Sequence, residues 1–164
     1  MHGLIFMTWE KYLAERFGSL FLDDYRHAIG ETKAHVPLAT RLYDDATLVA
    51  GVHAASTMAD LSADTLLREY GRSFIVNDVT SHLCAYILSH VHSGRELVLA
   101  MRDAHARLRL TQEGLTPPLF EYGMASRPDE VVLLYESPRQ FCSVLRGALE
   151  GAAERYGEQV QLVE

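Results

Sequence analysis

Cysteine is nearly absent from this chain: Cys84 and Cys142 are the only two among 164 residues, far apart and in no CxxC pair. That excludes a disulfide framework, a zinc ribbon and covalent c-type haem attachment through CxxCH. Basic residues are also scarce: 15 Lys plus Arg against 22 Asp plus Glu leave a formal net charge of −7. An acidic surface repels a phosphate backbone, so nucleic-acid binding is not expected. No apolar run approaches the ~18–20 residues that span a bilayer, and no basic segment followed by a long apolar core opens the chain. A cytoplasmic protein without membrane attachment is expected. No P-loop, catalytic triad or paired-carboxylate site is readable, so no enzymatic activity is expected either.

What is present is the make-up of a folded domain, 48% hydrophobic and 23% charged, in a length that suits one domain over residues 1–164. Residues 4–17 place Leu4, Ile5, Thr8, Trp9, Tyr12, Leu13 and Phe17 on one helical face, with Glu10, Lys11, Glu15 and Arg16 mostly opposite. Gly18 is the stop. Further helices are expected around residues 19–28, 44–55 and 62–71, the last capped by Ser62 with Asp64 in its first turn. Phe74, Ile75 and Val76 favour a strand locally, whereas Leu83, Tyr86, Ile87 and Val91 keep a helical period, so a helix is expected from about Val79. Residues 95–110 form a helix stopped by Gly114 and Pro117-Pro118. Residues 119–125 and 130–136 read as a hairpin turned at Ser126-Arg127-Pro128-Asp129. Residues 138–156 return to helix, and 159–163 alternate like a strand. Helices first and a hairpin afterwards give an α+β fold, a helical N-terminal part followed by an antiparallel sheet with a packed helix. The closing strand reaches the chain's last residues, so the sheet is expected to lack a return strand.

Two features carry chemistry. On the helix from Arg95, the apolar stripe of Leu97, Met101, Ala104 and Leu108 also contains His105. A neutral imidazole facing an apolar cavity can ligate a haem iron, with its other nitrogen tied to a carbonyl or water. It can equally be a core histidine satisfied by one hydrogen bond. Downstream, Tyr135-Glu136-Ser137-Pro138-Arg139 leaves a strand and enters a helix. Tyr135 and Ser137 point the same way by the two-residue period, with Pro138 at the first helical position and Ser137 as its cap. Two hydroxyls and a guanidinium fork beside a helix start suit carboxylates such as haem propionates. The plainer reading is a capped helix with Arg139 paired to a surface acid such as Glu136.

Taken together, Met1-His2-Gly3-Leu4-Ile5-Phe6, Met101-Arg102-Asp103-Ala104-His105, Thr116-Pro117-Pro118 and Tyr135-x-Ser137-x-Arg139 resemble, in order and spacing, the haem nitric oxide/oxygen-binding (H-NOX) domains. The resemblance covers nearly the whole chain. It implies a b-type haem (iron protoporphyrin IX) between the helical part and the sheet, with His105 as the proximal iron ligand. It further implies Tyr135, Ser137 and Arg139 as the propionate clamp, Pro118 packed on the porphyrin to distort it, and Ile5 as an apolar ring contact. The family's last strand is missing here. Some members carry a zinc site at the position of Cys142; its later ligands are absent, and Cys142 is expected to be a small buried helix residue.

Some members hold oxygen with a distal tyrosine, and that position here is Val144; the polar partner position is read as Phe74, and Trp9 is retained. Bound oxygen carries partial negative charge and gains from a donor, whereas nitric oxide binds strongly without one. A distal wall of Trp9, Phe74 and Val144, with only the Trp9 N–H to donate, points to a nitric oxide sensor and leaves carbon monoxide open. The resemblance implies that loss of the His105 bond signals to a partner protein such as a histidine kinase or a cyclic-di-GMP enzyme. The rival readings are a haem-free helical interaction module and, behind it, a haem enzyme.

Overall fold

A computed structural model of the chain describes residues 1–31, 36–78, 89–111 and 113–163. Four helices come first: α1 (Gly3–Phe17), α2 (Ser19–Ala28), α3 (Asp45–Ala59) and α4 (Ala63–Ser73). The starts of α1, α3 and α4 are set by side chains that satisfy free backbone amides. His2 Nδ1 accepts from Leu4 N at 3.3 Å, Asp44 Oδ1 from Ala46 N at 2.9 Å, and Ser62 Oγ from Thr65 N at 3.0 Å. Gly18 ends α1 with φ 93°, where a side chain would be strained.

These helices enclose one core of Trp9, Leu13, Ala55 and Leu66, all at most 1% exposed, together with Phe6, Tyr12, Tyr25 and Tyr70. Burying a leucine the size of Leu13 or Leu66 contributes ~1.5–3 kcal/mol. Glu10 departs from the expected solvent face: it is buried and paired with Arg26 of α2. The charge enters the interior because its partner does too, and that hydrogen bond keeps Arg26 firmly cationic.

The apolar Phe74-Ile75-Val76 run does not become a strand. It continues α4 as a π-helical turn, Phe74–Asp78, because Ile75 finds burial there without any strand neighbour. The expected helix onset at Val79, and Leu83, Tyr86 and Ile87 with it, lie outside the described residues. Next come α5 (Gly94–Thr111), strands β1 (Leu119–Tyr122) and β2 (Leu133–Glu136), and α6 (Cys142–Arg155). The strands pair antiparallel with Phe120 opposite Tyr135 and Tyr122 opposite Leu133. A second core gathers Ile75, Val91, Leu97, Val98, Ala148 and Ala152. The architecture is the expected α+β arrangement, helices followed by a small antiparallel sheet packed against helices.

Three local expectations change. The last helix begins at Cys142, not Pro138, because Gln140 takes a left-handed φ of 53° and breaks the path. Cys142 is exposed, since the first residue of that helix faces outward. Residues 159–163 form no strand; Val160 and Val163 stay exposed without a paired neighbour.

Helices α4 and α6 cross in backbone contact at Gly71, Gly147 and Gly151. Arg68–Glu150 and Arg72–Glu154 ion pairs flank the crossing. The crossing fixes the walls of the space between the two cores.

Candidate functional site

Between the two cores lies a cavity of about 440 Å³ with almost wholly apolar walls. All nine residues singled out in the sequence line it: Ile5, Trp9, Phe74, His105, Pro118, Tyr135, Ser137, Arg139 and Val144. They come from α1, the π-turn, α5, the segment before β1, β2, the turn between β2 and α6, and α6 itself, so only the fold brings them together.

His105 arrives on the face of α5 that also carries Met101, Ala104 and Leu108 to the cavity. Its Nδ1 lies 2.8 Å from Met101 O, one turn back on the same helix. That contact makes Nδ1 the protonated nitrogen and leaves Nε2 as the lone pair available to a metal. Burial lowers the imidazole's pKa, only partly offset by the Met101 carbonyl, and Arg109 lowers it further. The ring is therefore neutral, as a metal ligand must be. Phe120 of β1 lies 4.7 Å from it, centroid to centroid, and Tyr135 lies 5.4 Å from Phe120.

The Tyr135-x-Ser137-x-Arg139 group converges at one end of the cavity. Burial pushes the Tyr135 phenol up, opposed by its hydrogen bond with Ser137. Ser137 Oγ also accepts from Arg139 N at 3.3 Å, which closes a turn instead of capping the helix. Arg139 does not pair with Glu136. Its Nη1 donates to Thr116 O at 2.7 Å, its Nη2 to Thr116 Oγ1 at 2.9 Å, and its Nε lies 2.7 Å from Asp45 Oδ2. Burial opposes the charge on Asp45, yet the Met1 amino group and Arg139 outweigh it and hold this carboxyl below its ordinary value.

Two buried side-chain atoms among the described residues lack an aligned hydrogen bond, and both are here: Arg139 Nε and Asp45 Oδ1. The Arg139 guanidinium, a cation lining an apolar cavity and held by Asp45 and Thr116, is suited to a ligand carboxylate. A neutral imidazole on one wall, an apolar interior and a cation at one end fit a haem: iron ligand, porphyrin walls and propionate partner.

The opposite wall is less apolar than the sequence suggested. Tyr70 also lines the cavity, and its position one helical turn before Phe74 is the signal that would have found it. Thr8 Oγ1 donates to Leu4 O at 2.8 Å, and Tyr70 Oη lies 2.8 Å from Thr8 Oγ1 and 3.3 Å from Ile5 O, both of which can accept its proton. The Trp9 N–H is engaged as well, donating to Tyr25 Oη at 3.1 Å away from the cavity. Of the partners of Arg139, Thr116 stood out only as part of the Thr116-Pro117-Pro118 segment, with no role for its side chain, and Asp45, at a distant helix start, carries no signal in the sequence.

The sequence profile of a family described as Haem-NO-binding matches residues 2–164. No curated protein matches the chain. Among solved structures, a mutant of T. tengcongensis H-NOX is 21% identical with TM-score 0.87, covering 97% of this chain and 85% of its own. An H-NOX protein from S. oneidensis in the Fe(II)NO ligation state is 19% identical with TM-score 0.84, covering 98% and 88%. An oxygen-binding H-NOX domain related to soluble guanylate cyclases, in its oxygen complex, is 22% identical with TM-score 0.86, covering 98% and 84%. At these identities the likenesses establish the fold.

Proposed function

The chain belongs to the Haem-NO-binding family, and on that premise we propose that it is a haem-based nitric oxide sensor that signals to a separate protein. The observation that carries this reading is the apolar cavity between the two cores, lined by both neutral His105 and the Arg139 guanidinium. When bound, the ferrous b-type haem supplies the iron that takes up the gas.

The chain's residues do the rest. His105 Nε2 holds the iron, and Met101 O orients the ring for it. Tyr135, Ser137 and Arg139 receive the propionates, with Thr116 holding the guanidinium in place. Pro118 would pack on the ring and Ile5 would give it an apolar contact. Trp9, Phe74 and Val144 form the gas side, where the Trp9 N–H and the Tyr70 O–H are engaged within the protein. An uncommitted donor is what bound oxygen would gain from, so this wall favours nitric oxide, with carbon monoxide as a second ligand of the same kind. With haem and nitric oxide bound, loss of the His105 bond would free α5 and let the helical part shift relative to the sheet. A partner that prefers one arrangement, such as a histidine kinase or a cyclic-di-GMP enzyme, reads the difference. No helix among the described residues is long and apolar enough to cross a membrane, and a soluble cytoplasmic partner fits this reading.

The test is the visible spectrum of the reduced, purified protein. A Soret band that air leaves unaltered and nitric oxide shifts to the form lacking the histidine bond is the expected result. His105→Gly should lose the band and regain it with added imidazole. A stable oxygen complex would overturn the gas preference, and no Soret band at all would favour the haem-free interaction module.

A further inference from the structure

Helix α5 carries the proposed iron ligand, yet the protein interior holds it lightly. Among its described residues Gly94, Leu97 and Val98 are buried and Ala100 is partly buried against the second core; Met101, Ala104, His105 and Leu108 face the cavity, and Arg102, Asp103, Arg109 and Leu110 are exposed. Its remaining attachments are polar. At its start the Glu158 carboxylate accepts from Gly94 N at 3.2 Å, and near its end Arg109 Nη2 donates to Pro117 O at 2.8 Å. Between them, Tyr122 of β1 inserts its hydroxyl against the helix backbone, 2.6 Å from Val98 O and 3.1 Å from Leu99 O.

That contact is unusual in kind. A mid-helix carbonyl already accepts from the N–H four residues on, so Tyr122 uses the second lone pair of two successive carbonyls. A donor shared between two neighbouring carbonyls is sensitive to sliding or rotation of the helix. The strand supplying it is itself fixed. Phe120 and Tyr122 alternate to the same side of β1, Tyr122 pairs with Leu133, and Phe120 touches the His105 ring. From the helix side, the Arg102 guanidinium covers the Tyr122 ring at 5.4 Å. One strand therefore sets both the ring of His105 and the axial position of its helix.

We propose that the Tyr122 hydroxyl is a latch, a positioning group that holds α5 where His105 reaches the iron and must release when His105 does. This rests on the haem reading above. The release balances simply: the iron–nitrogen bond breaks with its electron pair staying on Nε2, and no centre is oxidised or reduced. Tyr122 keeps its proton and exchanges the two carbonyls for water.

The variant is Tyr122→Phe, which keeps the ring, the Arg102 contact and the strand pairing. Reduced haem-loaded protein is mixed with nitric oxide and loss of the histidine bond is followed by stopped-flow absorbance. Loss of one hydrogen bond predicts release roughly two- to tenfold faster than in the unaltered chain. The iron–histidine stretch of the gas-free ferrous protein, read by resonance Raman, should move as well, which simple loss of fold stability would not produce. Equal rates with an unmoved stretch overturn the latch and leave the sensor reading standing. If the unaltered protein takes up no haem, or keeps its histidine bond under nitric oxide, the sensor reading falls and the latch with it. A second measurement needs no mutation in the protein studied: with tyrosine carbon-13 labelled at the ring, the Tyr122 resonance should shift on adding nitric oxide, and one that stays fixed overturns the proposal.

Discussion

Gly147→Ala tests the helix crossing that shapes the site. In a solvent-exposed helix interior this change stabilises by ~1 kcal/mol, because alanine is the better helix former. Here the added methyl would lie on the Arg68 carbonyl oxygen, 2.7 Å from the Arg68 carbonyl carbon and 2.9 Å from Arg72 N. Those are backbone atoms of α4, so no rotamer change relieves the clash. Carbon atoms rest at ~3.5–4.0 Å, so α4 and α6 must separate by about 1 Å. Overpacking of this kind costs ~1–3 kcal/mol. Setting this cost against the ~1 kcal/mol propensity gain gives a net loss of up to about 2 kcal/mol. The flanking Arg68–Glu150 and Arg72–Glu154 pairs are exposed enough that their stretching adds little. For a chain of this size that lowers Tm by up to roughly 8 °C, read by thermal melts alongside urea titration with an unchanged m-value. Because Gly71, Val144, Leu145 and Ala148 of the same crossing line the cavity, haem affinity should fall too. A Tm raised by a few degrees would show that the helices do not touch as described.

Tyr25→Phe removes the acceptor of the buried Trp9 N–H and should cost ~1–3 kcal/mol; unchanged stability in urea would mean that the indole has another partner. Glu10→Ala leaves Arg26 a half-buried cation without its carboxylate and should cost about 3 kcal/mol, while the paired change to leucine at both positions should recover most of it. Asp45 is held below its ordinary value of 3.8, so its contribution is complete above that pH and is lost as pH falls through the lower folded value, where the unfolded chain binds the proton first. Asp45→Asn should flatten the stability curve in that acid window, and an unaltered slope would refute the pairing with Arg139.

The elements and the cavity-lining residues were legible for different reasons. Helices α1, α4 and α5 announced themselves because periodicity, caps and stops agree, as at Ser62 and Gly18. The hairpin was readable from Ser126-Arg127-Pro128-Asp129 between two β-rich runs. What failed depended on contacts distant in sequence. Phe74-Ile75-Val76 has strand propensity, but burial against the second core decides for a π-turn. Glu10 looked solvated because nothing local announces Arg26. Pro138 looked like a helix start until Gln140 took a left-handed conformation. In the site, His105 and the Tyr135–Arg139 group stood out by chemistry, whereas Tyr70 hid in an aromatic stripe and Asp45 in an ordinary first turn.

The cavity itself constrains what the chain can be. An apolar void costs on the order of 24 cal/mol per Å³ when its walls cannot relax, so about 440 Å³ would cost roughly 10 kcal/mol. That equals the whole stability of an ordinary domain. Wall movement lowers the figure, but the space still cannot remain both open and empty in a stable protein. Either the walls close or an apolar group of matching size fills it, and such a group then belongs to the fold as much as any core side chain. Haem removal should therefore do more than abolish colour: it should lower Tm by well over the few degrees of a point substitution, loosen α5 first because little beyond Leu97, Val98 and Ala100 ties it to the second core, and admit a hydrophobic dye. Equal melting temperatures for loaded and haem-free protein would refute this, since they would require the two cores to close over the gap without loss.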